Sequence, residues 1–309
     1  MLHFKLGTRS SPLALWQANF VADKLQKAGA KVELIQYETM GDKILHQGLA
    51  EIGSKGLFTE ELEQDLRDRK TDLAVHSAKD VQSVLDIDLE LLAFSERELA
   101  NDVVISFDKN VRLSLLGENE IIGTSSTRRK SFLKHYFPHL VTAEVRGNLQ
   151  TRIKKLENGQ YKAILLAYAG VHRAGFDDLI VEKLPLQQFI PAVGQGCIAI
   201  ETHKALTQEK KDFLKKHLNH LSTSICLETE RSFLATLEGG CSIPIFGYAQ
   251  INQNNEITFE GGIISLDGKK MIKIEEKSTE NPMVFGKKLA EKLLNAGGDE
   301  ILEAIKNKK

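Results

Sequence analysis

The chain is poor in cysteine: Cys197, Cys226 and Cys241 are the only three in 309 residues. They form no CxxC pair and have no histidines at zinc-ligand spacing, which argues against a disulfide framework or a structural metal. An excess of charge is also missing. With 41 basic against 42 acidic residues the formal net charge is -1, so no global field draws the chain to nucleic acid or an anionic membrane. No uninterrupted apolar run approaches transmembrane length, and "MLHFKLGTRSSPLALWQ" lacks the basic start, apolar centre and small-residue cleavage site of a signal peptide. A cytoplasmic protein is the expectation. There is no GxxxxGK[ST] loop, and "GTSST" lacks the Rossmann glycine spacing, so nucleotide binding is disfavoured.

What is present is an ordinary globular composition, 42% hydrophobic and 27% charged. The length suits two or three domains, because single cores stop growing below it. The first two thirds alternate apolar β-rich runs, short polar turns and stretches of helical periodicity, the pattern of parallel α/β units. "LHFKLGT" leads into "SPLALWQANFVADKLQKAG", with Ser11 at the N-cap and Pro12 at the first helical position. "KVELIQYET", "LFTEELEQDLRDRK" and "TDLAVHS" read as strand, helix and strand. A second series runs through "DVVISF", "EIIGTSSTRRKSFLKHYF", "LVTAEVRGNLQTRIKKLENGQ" and "KAILLAYAGVHRAGF". In "LPLQQFIPAVGQGCIAIET", Pro191, Gly194 and Gly196 break the apolar run before a strand-like return to the first domain; the glycines suit a hinge or a tight turn equally. Beyond "EKKDFLKKHLNH" a helix, an antiparallel meander with Asn-Asn and Asp-Gly turns, and an amphipathic helix "VFGKKLAEKLLNAG" make a smaller α+β domain, closed by a Lys-rich tail.

Ligands of open α/β sheets bind beyond the carboxyl ends of the strands, where helix N-termini offer N–H donors. Basic and hydroxyl residues gather at those ends: Arg9 and Ser11; Ser77, Lys79 and Asp80; Thr124, Ser125, Ser126, Arg128 and Arg129; Arg146; and Arg173, with Arg152 nearly two turns along the helix after Arg146. A lone Arg after a strand is usually solvated or ion-paired. Five such turns with almost no acids point instead to one cleft and a polyanionic ligand, best a small molecule with several carboxylates. Asp80, ionised in such a surrounding, suits proton transfer or stabilisation of a cation, and equally a helix cap or an Arg partner. Cys241, in "LEGGCSIPI", is either a small buried hydrophobe or a thiol that flexible glycines present to the cleft.

These segments together resemble the hydroxymethylbilane synthase, or porphobilinogen deaminase, family. The resemblance is carried by "TRSSPLALWQ" (8–17), "GSKGLFTEELE" (53–63), "DLAVHSAKDV" (72–81), "GTSSTRRK" (123–130), "RGNLQTRIKKLENGQY" (146–161), "AGVHRAGF" (169–176), "PAVGQG" (191–196) and "LEGGCSIPIFGYA" (237–249), which span nearly the whole chain in family order. It implies an α/β fold of two doubly wound, periplasmic-binding-protein-like domains, 1–98 with 197–217 and 99–196. A smaller α+β domain with an antiparallel sheet, 218–309, carries the cysteine. It implies a monomeric transferase that condenses four porphobilinogen molecules head to tail with loss of ammonia, then releases hydroxymethylbilane by hydrolysis, without metal, nucleic acid or membrane. Each porphobilinogen carries an acetate and a propionate, the carboxylates that the arginines call for.

By position, the resemblance makes Cys241 the thioether anchor of a dipyrromethane cofactor and Asp80 the catalytic carboxylate, which faces pyrrole nitrogens and the azafulvene-like cation in a cleft sheltered from water. Ser77, Lys79, Asp80, Thr124, Ser125, Ser126, Arg128, Arg129, Arg146 and Gly147 are implied around the cofactor. Arg9, Ser11, Gln17, Arg146, Arg152, Arg173 and Gln195 are implied around substrate or growing chain, and Lys55 in a covering loop. One departure is Gln82, where the family usually continues "KDVP"; it removes no chemical group and loosens the turn after Asp80.

Overall fold

A computed structural model describes residues 1–38, 59–240 and 242–307. Along the chain come β1 (His3–Arg9), α1 (Pro12–Lys27), β2 (Lys31–Tyr37), α2 (Glu60–Arg67), β3 (Leu73–Ser77) and β4 (Leu89–Phe94). They are followed by β5 (Asp102–Ile105), β6 (Ile121–Gly123), α3 (Thr127–Tyr136), β7 (Val141–Ala143), α4 (Leu149–Glu157), β8 (Ala163–Ala167), α5 (Tyr168–Arg173) and β9 (Ile180–Lys183). The remainder holds β10 (Ile198–His203), α6 (Gln208–Leu218), α7 (Leu221–Thr236), β11 (Ile245–Ile251), β12 (Ile257–Ile264), β13 (Met271–Ser278), α8 (Pro282–Leu293) and α9 (Asp299–Lys306). The chain divides into two compact units, residues 1–98 with 196–225 and residues 99–195 with 226–309.

The sheet of the first unit has the order β2-β1-β3-β10-β4. β1 runs parallel to β2 and β3, while β10 is antiparallel to both β3 and β4. The second unit repeats this plan as β7-β6-β8-β5-β9, with β5 the antiparallel insert. Parallel strands were expected; the sheets are mixed because β5 and β10 are not reached through a βαβ crossover and enter from the opposite end. Edge strands β4 and β9 were not anticipated. β9 is four residues long and only half-buried, too short to show a period.

Both sheets are covered on both faces, as alternation along a strand requires. Leu73 and Val75 of β3 pack with Val21 and Leu25 of α1 and Leu214 of α6, whereas Ala74 faces Leu62 and Leu66 of α2. In the second unit Val104 and Leu165 meet Phe132 and Leu133 of α3, and Val103 and Ile164 meet Ile153 and Leu156 of α4. The meander β11-β12-β13 is antiparallel throughout, as the Asn-Asn and Asp-Gly turns predict. Its Phe246 lies 5.0 Å from Phe132, ring centre to ring centre, inside the core that α3 shares with β6 and β8. That shared core explains why 226–309 and 99–195 form one unit. The segment beyond α8 forms the further amphipathic helix α9, with Ile301, Leu302 and Ile305 buried.

Cys197 and Cys226 are buried in the cores, as their apolar surroundings suggest. The glycine turn before β10 is tight: the Gln195 N–H donates to the Ala192 carbonyl at 3.0 Å, and Gly194 and Gly196 both have positive φ. A Cβ on Gly196 would stand 2.5 Å from the Glu98 carbonyl oxygen, so no larger residue fits.

Candidate functional site

In the first unit, β1 and β3 run parallel and end side by side, so the turns after them share one edge of the sheet. Arg9 closes β1, and Ser11 caps α1 with Pro12 at its first position; the Ser11 hydroxyl makes no capping bond. Ser77 closes β3, and a single 3-10 turn, Ala78–Asp80, follows. Arg9, Ser11, Gln17, Ser77 and Asp80 line one cavity of about 70 Å³, together with Thr59 and His76. Gln17 is 3% exposed, and its Nε2 donates to the Ser77 Oγ at 2.9 Å. Asp80 stands last in its turn, not at a helix cap, and no ion pair holds it among the described residues. It is exposed, although the resemblance implied a sheltered acid. Lys79 is half-buried beside it.

The second unit puts its polar residues on two adjoining turns, because β6 and β7 are parallel neighbours. Ser126 caps α3 by accepting from the Arg129 N–H, and Asn148 caps α4 by accepting from the Thr151 N–H. The two turns are laced together: the Ser125 Oγ donates to the Val145 carbonyl at 2.8 Å and accepts the Val145 N–H at 3.1 Å. Thr124 donates its N–H to Ala143 and accepts from the Ser126 N–H. Gly147 has φ +106° and would set a Cβ 2.7 Å from Thr151, so the turn needs glycine. Arg152 Nε donates to the Gly147 carbonyl at 2.8 Å, and Arg146 stands 3.4 Å from Glu144. Burial works to raise the Glu144 carboxyl, but Lys130, Ser125 and Arg146 outweigh it and hold it below the ordinary range. Arg173 ends α5, half-buried.

For Arg128, Arg129 and Gln195 the placement differs from the sequence expectation. None stands open to a ligand as a whole side chain. Arg128 Nη2 reaches Asp102 Oδ2 at 2.7 Å; Arg129 Nε and Nη2 reach Oδ1 at 3.0 and 2.7 Å; Gln195 Nε2 reaches Oδ1 at 2.9 Å. The remaining guanidinium bonds go to the Ile190 and Leu165 carbonyls, which leaves Arg128 Nε buried without a partner among the described residues. The physical reason is Asp102, fully buried at the start of β5, whose charge must be met inside the core. Burial pushes its carboxyl up, yet the fields of Arg128 and Arg129 prevail and hold it well below the usual carboxylate range.

Cys241 and Lys55 lie outside the described residues. Sequence reasoning passed over Asp102 and Glu201, both buried acids; His76, which the sequence reads as a packed histidine without a role, is buried as well. The available signal was an acid in an otherwise apolar strand, in "DVVISF" and "CIAIET". Among the described residues no helix is long and apolar enough to cross a membrane.

Residues 4–211 match the family described as "Porphobilinogen deaminase, dipyromethane cofactor binding domain", and residues 224–295 match "Porphobilinogen deaminase, C-terminal domain". Among curated proteins the chain is 49% identical over 303 residues to a porphobilinogen deaminase of Cytophaga hutchinsonii, covering 98% of this chain and 96% of that one. It is 45% identical over 306 residues to one of Desulfosudis oleivorans, covering 99% and 98%. Among solved structures it is similar to the methionine-binding protein MetQ, at 13% identity and a TM-score of 0.44, covering 70% of this chain and 89% of that one. With a cofactor-binding domain and a C-terminal domain both matched, the chain belongs to the porphobilinogen deaminase family.

Proposed function

We propose that the chain condenses four porphobilinogen molecules head to tail, with loss of ammonia at each addition, on a dipyrromethane primer joined by a thioether to Cys241, and then releases hydroxymethylbilane by hydrolysis. One observation carries the reading: Arg9, Ser11, Gln17, Ser77 and Asp80 surround a single cavity. A dipyrromethane carries acetate and propionate carboxylates and pyrrole N–H groups. The Ser77 hydroxyl and the Lys79 ammonium beside it suit the first, and the Asp80 carboxylate suits the second, so the donor set fits the group. When bound, it supplies the pyrrole carbon at which the chain grows.

The assignments follow the turns. Ser77 and Lys79 in the first unit, and Thr124, Ser125, Ser126, Arg146 and Gly147 in the second, hold cofactor carboxylates; α3 and α4 add the N–H donors of their first turns. Arg128 and Arg129 contribute through their positive charge and through the Nε of Arg128, with Asp102 and Gln195 as their brace. Arg9, Ser11, Gln17, Arg152 and Arg173 meet the carboxylates of incoming substrate, and Lys55 belongs to a covering loop. Asp80 accepts hydrogen bonds from pyrrole N–H and stabilises the cation that forms on substrate as ammonia departs. We further divide the chain into 1–98 with 197–217, 99–196 and 218–309, and read it as a cytoplasmic monomer with porphobilinogen as its small-molecule partner.

The test is direct. Purified protein is expected to show a mass increment of one dipyrromethane and to redden with acidic aldehyde reagent, and Cys241→Ser is expected to lose both. Asp80→Asn should keep the increment and lose turnover by about 100-fold or more. Full turnover by protein without the adduct would remove the primer; unchanged turnover in Asp80→Asn would remove Asp80 from its role.

A further inference from the structure

Behind the cavity of the first unit lies a group of buried ionisable residues that the proposed chemistry leaves unused. Ala74 and His76 lie two apart on β3 and project to the face that α2 covers. Glu201 of β10 is the register partner of Ala74, so it shares that face and stands diagonal to His76. His76 Nε2 comes within 3.0 Å of Glu201 Oε2, with the two side chains 4% and 0% exposed. The approach is off the line of a hydrogen bond, and among the described residues Nε2 and both Glu201 carboxylate oxygens are without hydrogen-bond partners. From α2 comes Glu63, 4% exposed, whose Oε1 accepts from the Thr59 Oγ1 at 2.5 Å.

Two buried carboxyl groups thus face one imidazole. The Arg67 guanidinium lies 3.7 Å from Glu63 and makes shorter contacts to Asp86 at 2.6 Å and Asp88 at 2.9 Å. Facing the cluster from the cavity side are Arg9 at the end of β1 and Asp80 after β3. With both carboxyls ionised, two negative charges would be buried beside one imidazole, at a cost of several kcal/mol per ion. A bound proton relieves it. Burial raises the Glu63 carboxyl above its ordinary range; the Thr59 bond opposes this, the Glu201 charge adds to it, and Arg67 and His76 oppose it.

We propose that Glu63, His76 and Glu201 form a buried proton-holding cluster that exchanges its proton with the cavity through His76. The idea rests on the function proposed above. Each addition breaks the C–N bond of the substrate's aminomethyl group and a C–H bond of the pyrrole it joins. It forms one C–C bond and one N–H bond of the departing ammonia. One proton therefore passes from carbon to nitrogen in every cycle, and it needs a carrier inside the site. His76 stands where such a carrier must stand, bordering the same cavity as Asp80 and Ser77 while its Nε2 faces Glu201. Glu63 and Glu201 act as positioning residues that keep a proton available to it.

Two measurements on the full-length holoenzyme decide the matter. The first is infrared spectroscopy: a wild-type minus Glu63→Gln difference spectrum at neutral pH is expected to show the carbonyl band of a protonated carboxyl. The second combines intact mass with steady-state kinetics across pH. His76→Gln is expected to carry the full cofactor mass, to keep KM within about twofold, and to lose kcat by about 100-fold with its acid-side fall flattened. Glu201→Gln, with the same shape, should lose about tenfold, and it decides the kinetic arm if His76→Gln does not fold. A loaded variant with wild-type kcat and pH profile overturns the proposal, and so does the absence of the carboxyl band. A wild-type protein that does not turn over porphobilinogen would defeat the proposed function instead, and the infrared arm would still decide whether the cluster holds a proton.

Discussion

The two units bury an acid on the same strand of the same sheet plan and treat it in opposite ways. In the second unit Asp102 opens the inserted antiparallel strand and is met by four hydrogen bonds, three from guanidinium groups and one from an amide. In the first unit Glu201 lies on the corresponding strand β10, with the His76 imidazole beside it and, among the described residues, no hydrogen bond to either oxygen. Guanidinium groups are always charged and planar, so the Asp102 set is locked in one charge state and one geometry. An imidazole accepts and releases a proton at its ring nitrogen, so the Glu201 set has a proton-exchanging neighbour where the Asp102 set has none. One arrangement braces the turn that bears Arg128 and Arg129; the other stores a charge that chemistry can move.

The most severe way to break this contrast is to remove the compensated acid. Asp102→Asn leaves two buried guanidinium groups facing a neutral amide and is expected to destabilise the protein by about 3–5 kcal/mol, read by urea unfolding at pH 7. The pH dependence follows from the sign of the shift. Asp102 is held below its ordinary range in the folded state, so its contribution is complete above the unfolded value of about 3.9 and disappears as pH falls toward the folded one. The gap between wild type and variant should therefore narrow in acid, and a gap independent of pH would contradict the ion-pair account.

A milder step removes one cation and leaves the other. Arg129→Met takes away two bonds to Asp102 Oδ1 and one to the Leu165 carbonyl, while Arg128 still holds Oδ2. The expected loss is about 1.5–3 kcal/mol, because hydrogen bonds to charged groups are worth about that much. A full Asp102→Asn effect from this single change would mean that the two arginines act as one unit.

How much of this was legible in the sequence depends on the kind of signal each feature leaves. The turns carrying Arg9, Ser11, Ser77 and Asp80 were readable because strand, turn and helix follow one another locally, and the cap at Ser11 and the proline after it mark the junction. The antiparallel strands were not. "DVVISF" and "CIAIET" announce strands, but their direction depends on where the chain returns from, which is a long-range fact. Arg128 and Arg129 looked like open anion donors because Asp102 lies 26 and 27 residues away from them, beyond any periodicity. Glu63 and Glu201 are separated by more than a hundred positions and meet His76 only because α2 covers the β3–β10 face. Charge pairing across a sheet is decided by register, and register is not written in local pattern.

The smallest expected effect tests the other half of the contrast. Glu63→Gln keeps the shape and an oxygen to accept from Thr59, but cannot ionise. Because burial raises the Glu63 carboxyl, its favourable contribution is complete below the unfolded value, about 4.3, and is lost as pH rises through the folded one. The variant should match wild type in acid and become the more stable protein at alkaline pH, by less than either substitution in the Asp102 set changes stability. As pH rises, then, Asp102→Asn falls further below wild type while Glu63→Gln climbs above it. Parallel stability curves for Glu63→Gln and wild type from pH 4 to 9 would mean that Glu63 ionises as freely as an exposed acid, and the first unit would then bury its charge no less securely than the second.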